Sequence, residues 1–220
     1  MTEAAFVKVP SGGCRLDGGV HVWRFPSDSS SGLVLSREET LLAAKFQSAD
    51  ARAAFIAGRS GVRRAASLYS GIPAGELLIE AGANGKPFFS NAGVHFNLSH
   101  TGSAVVAAFA GSAVGIDIEQ RGRSRDFVGI ARRFFCPSEA DAISRSHDEE
   151  QFLRLWTAKE AMLKLSGEGI SGGLSGARPG EEGSGLLGGK IVHTAGFSFA
   201  NLVGAVASFH PFEVKGWFQF

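Results

Sequence analysis

The stretch AVGIDIEQ, Ala113 to Gln120, restricts the fold more than any other part of this chain. It reads as an apolar strand, yet it carries Asp117 and Glu119 two positions apart. Strand side chains alternate, so both acids share one face with Gly115 while Ile116 and Ile118 point to the other. Such a strand belongs in a sheet that buries the isoleucine side. The acid side must meet something positive, because like charges on one strand face repel. A metal ion or an arginine could supply that charge, and Arg121, two residues on along the same face, is the arginine at hand.

The surrounding pattern alternates helices with strands. VHVWRF (20–25) alternates as an opening strand, and Ser36 with Glu39 has the capping-box spacing before a mostly helical run to Tyr69. Gly58 and Gly61 interrupt that run. VHFNLSH and AVVAAFA flank TGS and read as a hairpin. DEEQFLRLWTAKEAMLKLSG is the clearest helix, ended by Gly167. The Gly- and Ser-rich span 167–190 is expected to be a flexible loop, and a β-rich segment follows it. NLVGAVASF near the end echoes GSAVVAAFA in the first half. The expectation is an α+β protein of two similar halves, 1–110 and 111–220.

Composition narrows the function. With 220 residues, 44% hydrophobic, 20% charged and a net charge of +1, bulk electrostatics points to neither a nucleic-acid nor a membrane partner. Five arginines between 121 and 133 form a local basic run, first read as a solvated face and second as a dock for an acidic partner, centred on Arg132 and Arg133. Few aromatics lie among them, which argues against nucleic acid. Cys14 and Cys136 have no metal-ligand spacing and suit a reducing compartment. No charged-then-apolar leader opens the sequence, and the longest apolar stretch is short of the roughly 20 residues a membrane span needs. A cytoplasmic location is expected.

Three further groups could carry chemistry. Glu160 and Lys164 lie at i, i+4 on the long helix, a spacing that commonly means a surface ion pair worth only about 0.3–0.5 kcal/mol. Ser99 and His100, at a strand end beside Gly102, make an anion site or a capped turn. Lys86 sits between Gly85 and Pro87, where a lysine is ordinarily just solvated. Taken together, paired acids, a helix acid and several bases suit Mg²⁺ with phosphate oxygens, since hard oxygen donors select that ion.

The order and spacing of GKPFF (85–89), FNLSH (96–100), VGIDIE (114–119), FFCPSE (134–139) and WTAKEAMLK (156–164) resemble the 4′-phosphopantetheinyl transferases of the larger, Sfp-like type. The resemblance implies a monomer of two halves related by pseudo-two-fold symmetry, with the active site in the cleft between them. It implies transfer of the phosphopantetheine arm of coenzyme A to a serine of an acyl or peptidyl carrier protein, with release of 3′,5′-ADP. By the motif match Asp117, Glu119 and Glu160 would hold Mg²⁺, and Glu160 and Lys164 would be catalytic. Lys86, Ser99, His100, Arg52 and Arg59 would bind coenzyme A. The competing expectation is a coenzyme A binder of the same fold without transferase activity.

Overall fold

The computed structural model describes residues 1–9, 14–27, 32–82, 84–167, 173–180 and 183–220. The chain divides into two compact units: Met1–Ala4 with Val114–Pro211, and Ala5–Ala113 with Phe212–Phe220. A break at 110/111 therefore leaves out an exchange of ends, because each terminal segment joins the unit built from the opposite half. The first strand, β1 (Thr2–Glu3), is the piece contributed by the N-terminus.

The unit of Ala5–Ala113 holds β2 (Val7–Lys8), β3 (Val20–Pro26), α1 (Arg37–Ala43), α2 (Ala49–Ser70), the β4 (Ile79–Ala81) and β5 (Pro87–Phe89) hairpin, β6 (His95–Thr101) and β7 (Ala104–Ala110). With β13 (Val214–Gln219) these form a sheet in the order β2-β13-β3-β7-β6, in which β13 runs parallel to β2 and β3 and the other pairs are antiparallel. Ser48 caps α2 through the Ala51 N–H, and Gly71, at φ 71°, ends it in the left-handed conformation that glycine adopts most readily. The helix runs unbroken through Gly58 and Gly61 because these are contact positions. A Cβ on Gly61 would overlap the Phe25 ring, and one on Gly58 would touch Leu98 and Val105. The core face of α2 is thus made of small residues, Ala54, Ala57, Ala65 and Ala66 among them, against Trp23, Phe25 and Phe109.

The unit of Val114–Pro211 holds β8 (Val114–Gln120), α3 (Phe127–Phe134), α4 (Pro137–Ser146), α5 (Glu149–Ser166), β9 (Ala177–Arg178), β10 (Ser184–Leu187), β11 (Lys190–Phe199) and β12 (Leu202–Ser208). Its sheet follows the order β8-β12-β11-β10-β9, with β1 parallel on β11. Asp148 caps α5 by accepting from the Glu150 and Gln151 amides, and Gly167 at φ 74° closes it. An aromatic cluster of Phe135, Phe152 and Trp156 joins α3, α4 and α5. In the span 167–190, residues 168–172 and 181–182 lie outside the described residues, and the described remainder is more than loop. There β9 and β10 pair antiparallel, and a Cβ on Gly185 would overlap the Arg178 carbonyl. Glycine in this span thus serves close strand approach as well as turns. Among the described residues, no helix is long and apolar enough to cross a membrane.

Candidate active site

The strand AVGIDIEQ is built as its alternation requires. Ile116 and Ile118 are fully buried, and β8 pairs antiparallel with β12, placing Asp117 opposite Ala205 and Glu119 opposite Val203. The acid face lies under α5. Gly115 decides how close the helix comes, since any Cβ there would overlap the Ala161 carbonyl and the Leu165 amide. A bare backbone at 115 therefore lets α5 settle directly on β8, bringing Glu160 and Lys164 down to the acids.

The positive charge that the strand demands comes from two side chains, Lys164 and Arg125. The Lys164 ammonium donates to Asp117 Oδ1 at 2.7 Å, and Asp117 is only 6% exposed. Arg125 donates to Glu119 Oε2 at 3.2 Å and to the Gln120 carbonyl at 3.0 Å. Arg121, the arginine expected from alternation, turns elsewhere: its guanidinium makes a two-pronged pair with Glu150 at 2.7 and 3.0 Å and donates to the Leu202 carbonyl. The tighter fork geometry offered by Glu150 explains the difference. Arg125 reaches back because Gly122, at φ 70°, reverses the chain just after the strand.

Glu160 completes the group. Burial raises its carboxyl above the ordinary carboxylate range, the Asp117 charge raises it further, Lys164 opposes, and Glu119 adds a last upward push. At Glu160 both strand carboxylates thus work against the relief that Lys164 supplies. Among the described residues, no three His, Cys, Asp or Glu side chains already stand within reach of one metal ion. The donor set nevertheless fits a hard divalent cation in its chemistry, because mutual repulsion at Glu160 is what such an ion relieves.

The other expected residues lie in the unit of Ala5–Ala113, on separate elements. Lys86 occupies the β4–β5 turn, where Gly85 has φ 77°, and burial lowers its ammonium to about 8. Ser99 and His100 are consecutive residues within β6 and so take opposite faces; Ser99 is buried and His100 exposed. Arg52 donates to the Phe46 carbonyl just beyond α1. Arg59 lies over the Phe55 ring and 3.9 Å from Glu39, and burial lowers its guanidinium. Arg132 and Arg133 are exposed in the last turn of α3, where Arg132 donates to Ser144 Oγ and Arg133 covers the Phe134 ring. Cations at a helix C-terminus are favoured by its dipole, a local reason for both arginines.

The family model described as the 4′-phosphopantetheinyl transferase superfamily matches residues 113–186, the segment that contains all four members of this cluster. The transferase HetI of Nostoc sp. is 32% identical over 185 residues, 78% of each chain. The chain belongs to this superfamily. Its Sfp-like character is carried by Sfp of Bacillus subtilis, 40% identical over 80 residues (35% of each chain), and by psf-1 of Bacillus pumilus, 42% identical over 122 residues (53% of this chain and 52% of that one). Members of the family are enzymes, and this chain is one of them.

Sequence pattern alone missed two features. Arg125 escaped because its approach to Glu119 depends on the turn at Gly122 rather than on strand alternation. Helical spacing puts Arg63 off the apolar stripe of α2. It is 3% exposed and donates to Glu39 at 2.9 Å and to the carbonyls of Ala74 and Leu77. The capping box that placed Glu39 gave no sign that its carboxylate also serves an arginine 24 residues away.

Proposed function

We propose that this enzyme transfers the 4′-phosphopantetheine arm of coenzyme A to a serine of an acyl or peptidyl carrier protein, with Mg²⁺, releasing 3′,5′-ADP. The observation that carries the reading is the convergence of Asp117, Glu119, Glu160 and Lys164 where α5 rests on Gly115. A serine hydroxyl would attack the phosphorus attached to the pantetheine arm. As the new O–P bond forms, the bond to the bridging oxygen breaks, and 3′,5′-ADP leaves with the electron pair. Glu160 takes the serine proton, a task suited to a carboxylate whose surroundings raise its basicity. Lys164 is placed to turn from Asp117 toward the pyrophosphate and donate to the oxygen on which charge develops. Asp117, Glu119 and Glu160 would hold the magnesium ion, which when bound neutralises pyrophosphate oxygens.

Lys86, Ser99, His100, Arg52 and Arg59 are assigned to coenzyme A by the motif match. The half-buried Lys86 ammonium supports a phosphate contact, since an anion there offsets its desolvation. Arg132 and Arg133 are the proposed carrier-docking residues. Two kindred halves with the reaction in a shared cleft, a monomeric state and a cytoplasmic setting belong to this proposal through the family resemblance.

The test is intact-mass spectrometry of an apo carrier protein incubated with the enzyme, coenzyme A and Mg²⁺, with an EDTA control. A gain of one phosphopantetheine arm, lost on chelation, is the expected result. Coenzyme A binding with no gain across several unrelated carriers would favour the non-catalytic binder.

A further inference from the structure

Lys159 is a charged side chain that the chemistry above does not use, and it is 0% exposed. All three of its proton-donating directions are filled. The ammonium lies 2.9 Å from Glu139 Oε2, donates to the Leu174 carbonyl at 3.0 Å and donates to the Ala177 carbonyl. The Phe135 ring sits 5.1 Å away and adds a cation–π contact. Glu139 is itself committed, because the same Oε2 accepts from the Cys136 amide at 3.1 Å and caps the start of α4. Four elements thus meet at one ammonium: α5, the N-terminus of α4, the segment 174–176 and β9.

A buried ion pair of this kind adds little net stability over an apolar replacement, so its value lies in fixing one arrangement. Consecutive helix residues are about 100° apart around the axis, so fixing the direction of Lys159 fixes that of Glu160. The opposite side of the helix is fixed by Gly115 against Ala161 and Leu165. We propose that Lys159 is a positioning residue: tied to Glu139, Leu174 and Ala177, it sets the rotation of α5 so that Glu160 meets Asp117 and Glu119. The assignment rests on the transferase reading for its kinetic consequence and on the contacts of Lys159 for its geometry.

The experiment compares wild type with Lys159→Met, which keeps an unbranched side chain and deletes the charge. Both are assayed for transfer to an apo carrier and titrated with Mn²⁺ in the absence of coenzyme A. The expected result is a fall in kcat of about a hundredfold with the KM for coenzyme A within about threefold, the signature of a misplaced reacting group rather than lost binding. Mn²⁺ affinity should weaken in parallel. A folded variant with wild-type kcat and Mn²⁺ affinity overturns the assignment. If Lys159→Met does not fold, Glu139→Gln decides it, because it keeps the side-chain shape while removing the charge. Lowered kcat at unchanged KM then supports positioning, and wild-type kcat overturns it. Should wild type itself transfer nothing, the transferase reading is what fails. Crystal structures of wild type and the folded variant then decide the geometry: a shifted Glu160 carboxyl upholds the positioning role, and an unshifted one overturns it.

Discussion

Two buried charge clusters, one in each unit, answer opposite needs. Where α5 meets β8, three acids face Lys164 and Arg125, and Glu160 is pushed upward first by burial and then by the Asp117 charge. Where α1 meets α2, one acid, Glu39, faces two arginines, Arg59 and Arg63. Arg63 there is closed by two backbone carbonyls and a carboxylate, like a structural rivet. Arg59 keeps a buried Nη1 with no hydrogen-bond partner among the described residues. Burial costs both clusters desolvation, but one is left wanting a cation and the other an anion. Burial sets the cost in both clusters, and the sign of the charge left over decides which kind of ligand each could take.

The largest effect should come from breaking the acid cluster at its most strained member. Glu160→Gln removes the proton acceptor and one proposed metal donor while preserving volume, so kcat for transfer should fall about a thousandfold or more. Its melting temperature should stay level or rise, since the substitution removes a buried charge and with it the repulsion from Asp117 and Glu119. Transfer assayed by carrier mass, with a thermal melt alongside, checks both halves. Retention of most activity would remove Glu160 from the mechanism.

The rivet should behave in the converse way. Arg63→Met leaves Glu39 and two carbonyls to be re-paired in a nearly sealed site, so unfolding free energy should drop by about 3–5 kcal/mol. The folded fraction should keep its kcat. Urea unfolding followed by tryptophan fluorescence measures the first, and single-turnover transfer measures the second. Equal loss of kcat and stability would erase the distinction between the clusters.

These two clusters were not equally legible in the sequence. Strand and helix periodicity put Asp117 with Glu119 on one face of β8 and Glu160 with Lys164 on one face of α5, and the family resemblance is what joined the two pairs. What periodicity cannot supply is the partner across a turn, so Arg121 stood as the arginine alternative to a metal ion while Arg125 holds Glu119. The same limit hid Arg63, whose partners lie on α1 and in the loop after α2. Gly58 and Gly61 looked like helix weaknesses because their purpose lies on β3, β6 and β7. Ser99 and His100 were read as the end of a strand entering a turn, whereas β6 continues to Thr101 and sends them to opposite faces. Lys159 gave no signal at all, since a lysine among charged residues on a helix resembles surface until its three acceptors are known.

The smallest effect is a pH dependence that tests whether the unit bearing the arginine cluster binds phosphate at all. Burial lowers the Lys86 ammonium from the ordinary lysine range to about 8, so between about pH 7 and 9 it loses its charge in the free enzyme. If Lys86 holds a coenzyme A phosphate, KM for coenzyme A should rise several-fold across that window, while Lys86→Arg stays flat because a guanidinium keeps its proton there. Stability runs the other way. The folded state penalises the charged form, so this group's cost is fully present below about pH 8 and is relieved as pH climbs toward the unfolded lysine value. Weakening substrate affinity together with a slightly rising unfolding midpoint therefore identifies Lys86 itself, where general alkaline damage would lower both. A flat KM in wild type would leave the phosphate role to the remaining basic residues, with Arg59 the first to substitute.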